Sequence, residues 1–144
     1  MVLFAHPHCP CTAATLAELE RLMASCADRL AVCVMFYADP ELGAGWERTG
    51  TWKHAATIPG VHLLADPLGK TARAFGAMTS GSAVLYAPDG QLLFHGGITA
   101  ARGHQGDNAG AAAILDHVTG RSGALRTTEV YGCALVSPVQ GRAQ

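Results

Sequence analysis

Apolar and polar positions along this chain change their period several times, and each change marks an element. Val2 to Ala5 is a short apolar run that reads as a buried strand. The spacing then becomes helical: Leu16, Leu19, Leu22, Met23 and Cys26 fall on one stripe, and Pro10 suits the first position of that helix. Leu30 to Tyr37 is a continuous apolar run, as expected of a strand covered on both faces. Trp46 to Thr57 predicts a helix interrupted by Gly50, followed by a Pro59-Gly60 turn and a short strand from Val61 to Ala65. Leu68 to Phe75 predicts a short helix closed by Gly76. Ala83 to Ala87 and Gln91 to His95 are two strands joined by Pro88-Asp89-Gly90, a hairpin signal. Asp107 to Val118, rich in alanine and stopped by Gly120, is the last predicted helix.

Alternating β and α units argue for a parallel sheet flanked by helices, here extended by an antiparallel hairpin. No repeat or linker divides the chain. Residues 1–120 therefore form one domain, and residues 121–144 a tail of mixed composition that carries Cys133.

Composition narrows the partners. Of 144 residues, 49% are apolar and 15% charged, and the formal net charge is −1, which excludes a disordered acidic chain. Arg21, Arg29, Lys53, Lys70 and Arg73 stand singly, so no basic patch for nucleic acid is legible. No apolar run approaches the roughly 20 residues that span a bilayer. The opening Met1-Val2-Leu3-Phe4 lacks the basic region of a signal peptide. A start directly in a strand is compatible with an upstream leader or anchor, and thus with an extracytoplasmic site. The sequence itself carries no address. Five cysteines at positions 9, 11, 26, 33 and 133 are too few for a disulfide-stapled scaffold and odd in number.

Chemistry concentrates at His8-Cys9-Pro10-Cys11-Thr12, where the first strand hands over to the first helix. Free N–H groups and the partial positive charge of a helix N-terminus stabilise an anion, and the thiolate is the reactive form of cysteine. His6 and His8 are expected to add positive charge when protonated. The blander alternative is that two small apolar side chains happen to lie at a helix start.

The segment from Phe4 through Cys9-Pro-Cys-Thr to Leu19 resembles the active-site segment of thioredoxin-like proteins, and the element order matches that fold from about residue 2 to residue 119. More narrowly, His-Pro-His-Cys-Pro-Cys-Thr, Gly96-Gly-Ile-Thr, Arg102-Gly-His-Gln-Gly-Asp-Asn108 and Gly132-Cys133 are similar to a bacterial RedB-like group. The resemblance implies a thioredoxin-like α/β fold, with a central mixed sheet of about five strands and the tail folding back. Two departures stand out. One residue, Pro10, separates the cysteines where the family has two, so a disulfide across it closes a small, strained ring. Thr79-Ser80-Gly81-Ser82 also lacks the cis-proline that shapes the family's substrate groove, and Gly81 is expected to leave that space open.

In such a sheet the hairpin brings His95-Gly96-Gly97-Ile98 and the loop Thr99 to Asn108 toward Cys9 and Cys11. The loop's Arg102, His104 and Asp107 are then candidate substrate-binding residues, with His8 and Gly81; alternatively Asp107 or Asn108 caps the last helix and the rest is solvated loop. About 13 residues between the last helix and Cys133 span roughly 40 Å when extended, enough to return to the pair. Cys26 and Cys33 read as core residues, and His54, His62 and His117 as surface. Gly69-Lys70-Thr71 is not a phosphate loop, because Leu64 stands where glycine is required.

Three functions follow from these residues. The first is a thiol–disulfide oxidoreductase acting on protein or small-molecule thiols and disulfides, with no cofactor required. In it Cys9, expected as the more exposed thiol, attacks, and Cys11 or Cys133 resolves. The second is a metal-binding or metallochaperone module in which Cys9, Cys11 and Cys133 hold Cu(I), Zn or an iron–sulfur cluster. The third is an interaction domain without turnover.

Overall fold

A computed structural model of the chain describes residues 1–122 and 124–136; residues 123 and 137–144 of the predicted tail lie outside the described residues. In chain order the elements are β1 (Val2–Ala5), α1 (Thr12–Cys26), β2 (Val32–Ala38), α2 (Gly50–Thr57), β3 (Val61–Pro67), α3 (Lys70–Ala74), β4 (Ala83–Tyr86), β5 (Leu92–Gly96) and α4 (Ala109–Thr119). They build one five-stranded sheet in the order β3-β2-β1-β4-β5. β1, β2 and β3 are parallel, and the β4–β5 hairpin joins β1 antiparallel. This mixed sheet with flanking helices is the expected thioredoxin-like arrangement. No helix among the described residues is long and apolar enough to cross a membrane.

Side-chain alternation along the strands sends residues to two separate cores. Leu3 and Ala5, Val32, Val34 and Phe36, and Ala83 and Leu85 face α1 and α4 with Leu16, Leu19, Phe94 and Ile114. Phe4, Met35 and Val84 face the other way, where α3 and the tail residues Leu135 and Val136 cover them.

Several boundaries differ from the sequence expectation for local reasons. Pro10 lies in a turn, closed by Cys9 N–H to His6 O and Thr12 N–H to Cys9 O, so α1 starts two residues later. Gly43 and Gly45 adopt positive φ and keep Trp46 out of any helix; Gly50 opens α2 rather than interrupting it. Leu68 and Gly69, both left-handed, hold back α3, whose first N–H groups are taken by the buried Asp66 carboxylate (2.8 Å to Thr71 N, 2.9 Å to Ala72 N). β3 runs two residues past Ala65, because Asp66 and Pro67 stay in register with Tyr37 and Ala38 of β2. Asn108, not Asp107, caps α4 by accepting the Ala111 N–H at 2.8 Å.

Candidate functional site

β1 ends at Ala5, and residues 6–11 form the turn that delivers Cys9 and Cys11 to the start of α1. A closed ring of polar groups fixes this turn. The His6 N–H donates to Ser80 Oγ (2.9 Å), Ser80 Oγ lies 3.2 Å from Thr12 Oγ1, and the Thr12 hydroxyl donates to His6 O (2.9 Å). With Ser80 donating to Thr12, every hydroxyl proton has one acceptor. From the other side the hydroxyls of Thr49 and Thr51 donate to Pro7 O at 2.9 and 3.2 Å, tying the turn to α2. Thr12 and Ser80 are buried, so breaking this ring leaves polar atoms without water.

Cys133 lies against Cys9. Its N–H donates to Cys9 Sγ at 3.3 Å, bridging 124 positions of sequence. Burial pushes the Cys9 thiol up, but the Cys133 thiol and N–H and the Cys11 N–H outweigh it and hold Cys9 below its ordinary value. Cys133 is pushed the opposite way, first by donating its thiol to Cys9, then by burial and by the Cys9 charge. Of the two thiols, Cys9 is therefore the one that ionises first.

The expectation that Cys9 is the more exposed thiol is corrected: Cys9 is 3% exposed and Cys11 8%, while Cys133 is half-buried. The tail itself is the cover. Glu129 O accepts the Gly97 N–H (3.2 Å), Cys133 O accepts the Ser80 N–H (2.9 Å) and the Leu135 N–H donates to Met78 O (2.8 Å). Thr79 and Ala134 pair antiparallel, so residues 133–135 act as a strand along 78–80. The space expected to stand open at Gly81 is bordered by the tail, because a β-carbon there would be in contact with Tyr131 O and Val130 (3.8 Å each) as well as Thr15 Oγ1 (3.4 Å). Gly81 has φ +99° and is held by its N–H to Phe4 O at 2.8 Å.

The remaining candidates divide. Arg102 joins the site: its guanidinium donates to Gly132 O (3.1 Å) and approaches Cys133 Sγ (3.9 Å). His8 lies at the rim, its ring 4.4 Å from that of Trp46 and its Nε2 3.3 Å from Trp46 O. Asp107 is drawn away to Arg21 (3.2 Å), beside the buried Glu18 that anchors the loop through the Gly106 N–H (2.7 Å). His104 is exposed and has no bond to the thiols. Gly96 and Gly97, expected to wall the thiols, instead form the track under Thr128 and Glu129, where a β-carbon would strike the tail backbone.

His6 is held back from taking up positive charge. Burial, then repulsion from His8, holds it below 6.5, and its Nδ1 accepts the His8 N–H at 3.1 Å. Its ring stacks on Tyr37 (centroids 5.5 Å apart) and meets Trp46 edge-on. Trp46, Tyr37, Ser80 and Thr12 are site residues that sequence reasoning missed. Trp46 was assigned to a helix and Tyr37 to a core strand; an aromatic next to paired glycines was the one available signal. Cys26 is buried as expected, whereas Cys33 is half-buried with Sγ 3.7 Å from Met35 Sδ. Among the described residues, no three His, Cys, Asp or Glu side chains form a metal-holding group.

The chain is similar in structure to a hypothetical protein from Sinorhizobium meliloti, with TM-score 0.73, 22% identity, and coverage of 96% of this chain and 79% of that one. It is similarly close to an uncharacterized conserved protein from Geobacillus kaustophilus, with TM-score 0.73, 19% identity, and coverage of 96% and 76%. At these identities the likeness carries the fold alone. No family model and no curated protein matches the chain.

Proposed function

We propose that this protein is a thiol–disulfide oxidoreductase whose working couple is Cys9 and Cys133. One observation carries the reading: a thiol with a lowered pKa, at the start of a helix, is hydrogen-bonded to a second thiol brought from the far end of the domain. Cys133, the accessible thiol, deprotonates beside the Arg102 guanidinium and attacks one sulfur of a partner disulfide, forming a mixed disulfide and releasing the other sulfur as thiolate. The Cys9 thiolate beneath it then attacks Cys133 Sγ. The partner's second sulfur leaves, and the Cys9–Cys133 disulfide closes. Two electrons have passed from this dithiol to the partner. Cys11, one residue from Cys9 across a proline, is the less favoured disulfide partner of Cys9 because the ring between them is strained.

The test is peptide mapping and thiol counting of oxidised, metal-analysed protein, combined with disulfide reductase assays. The expected result is a Cys9–Cys133 linkage and loss of disulfide reductase activity in both Cys9→Ser and Cys133→Ser. Full activity in Cys9→Ser overturns the reading.

A further inference from the structure

The couple described above leaves its external partner unnamed, and the tail narrows that partner. A polypeptide substrate held by strand pairing would need a free backbone edge beside the thiols. Here the edge at 78–80 is already paired, by residues 133–135 of the same chain. The occupant is fitted to it. A β-carbon on Gly132 would strike Ser80 O, and Leu135 and Val136 are 3% and 6% exposed against Phe4, Met35 and Ala77. Upstream, Arg126 O and Glu129 O accept the N–H groups of His95 and Gly97 at 3.0 and 3.2 Å. Anchored on both sides of Cys133, the tail is part of the fold and not a loose arm. Cys9 is closed off beneath it. The accessible sulfur is Cys133, and the charged group beside it is the exposed guanidinium of Arg102.

We infer that the external partner is a small thiol bearing a carboxylate, which exchanges at Cys133 Sγ alongside Arg102, and that polypeptide disulfides are excluded. This rests on the Cys9–Cys133 couple. Starting from the disulfide, a small thiolate RS⁻ attacks Cys133 Sγ and the Cys9–Cys133 bond breaks. The electron pair leaves on Cys9, whose thiolate is received by the Cys11 and Cys133 N–H groups. A second RS⁻ attacks the small thiol's sulfur in the Cys133–S–R intermediate. RSSR departs, and Cys133 takes a proton from solvent. The net change is one protein disulfide and two RSH converted to one protein dithiol and RSSR.

The experiment uses the full chain oxidised to the Cys9–Cys133 disulfide. Its reduction is followed with 3-mercaptopropionate, 2-mercaptoethanol and cysteamine at equal thiolate concentration. Rates should fall in that order, by about fivefold for each unit of charge, as for charges a few ångströms apart in water-like surroundings. Added salt should compress the spread, and Arg102→Gln should collapse it whatever the absolute rates. In the opposite direction, the reduced protein should act on dithiodipropionate well before it acts on insulin. Disulfide formation with equal rates for the three thiols, or insulin reduced as fast as dithiodipropionate, overturns this inference and leaves the couple standing. Failure of the Cys9–Cys133 disulfide to form under oxidation overturns both.

Discussion

The two faces of the sheet are built to different standards. On one, α1 and α4 close over nineteen buried residues running from Leu3 to Ile114. On the other, the five-residue α3 and the tail cover seven, two of which, Leu135 and Val136, belong to the tail. A cleft of about 940 Å³ remains open beside them, between Phe75, Tyr86, His95 and Glu129. The second face is completed by the same segment that carries a thiol of the site. Covering an apolar surface and positioning a sulfur are thus one job here, done by a dozen residues.

Paired truncations test that contrast most strongly. Leu16→Ala, on the helical face, should cost about 4 kcal/mol in denaturant unfolding, as for other fully buried leucines. The Cys9 alkylation rate of the folded protein should not change. Leu135→Ala should cost less, about 2 kcal/mol, because its surroundings are small and adjoin open space. It should nevertheless speed Cys9 alkylation about tenfold, the equivalent of about 1.4 kcal/mol of local opening. Equal protection of Cys9 in both variants would show that the tail is not its cover.

A smaller effect separates the two thiols. In Cys133→Ala the side-chain donor to Cys9 is lost while the backbone N–H remains. The midpoint of Cys9 alkylation against pH should therefore rise toward the ordinary thiol value, and an unmoved midpoint would show that the Cys133 thiol does not support the Cys9 thiolate.

The smallest effect concerns His6. Its folded pKa is held below 6.5 by burial and by His8, so the unfolded chain binds the proton first as pH falls. Stability should decline as pH drops below 6.5, then level once the lowered folded value is passed. His6→Phe should flatten that slope in urea titrations. A slope that persists in the variant would assign it elsewhere.

Element order was legible from period alone, because strands covered on one or both faces and amphipathic helices write their burial into spacing. Cys9 and Cys11 were legible for the same reason: a strand-to-helix junction can be located from pattern. Boundaries at Trp46 and Leu68 were not, since they depend on backbone angles at Gly43, Gly45 and Gly69 that spacing does not record. Nor was the role of Gly81, Gly96 and Gly97. Gly81 is set by its φ of +99°, and Gly96 and Gly97 are the places where another backbone passes too close for a β-carbon. That contact is between segments tens of residues apart, and a one-dimensional pattern holds no trace of it. Asp107 shows the converse: chemically dense sequence does not guarantee convergence, and Arg21 took the carboxylate instead.

The antiparallel pairing of Thr79 with Ala134 also sets an order of events during synthesis. The described strands and helices lie before residue 120, so they leave the ribosome ahead of Cys133 and can assemble first. For that interval the nascent domain holds Cys9 without its shield, with the Ser80 amide and the Met78 carbonyl unpaired. Residues 126–136, which emerge after those elements, are the ones that seal a reactive sulfur. Termination ahead of Cys133 would leave Cys9 a bare thiol, prone to cross-linking.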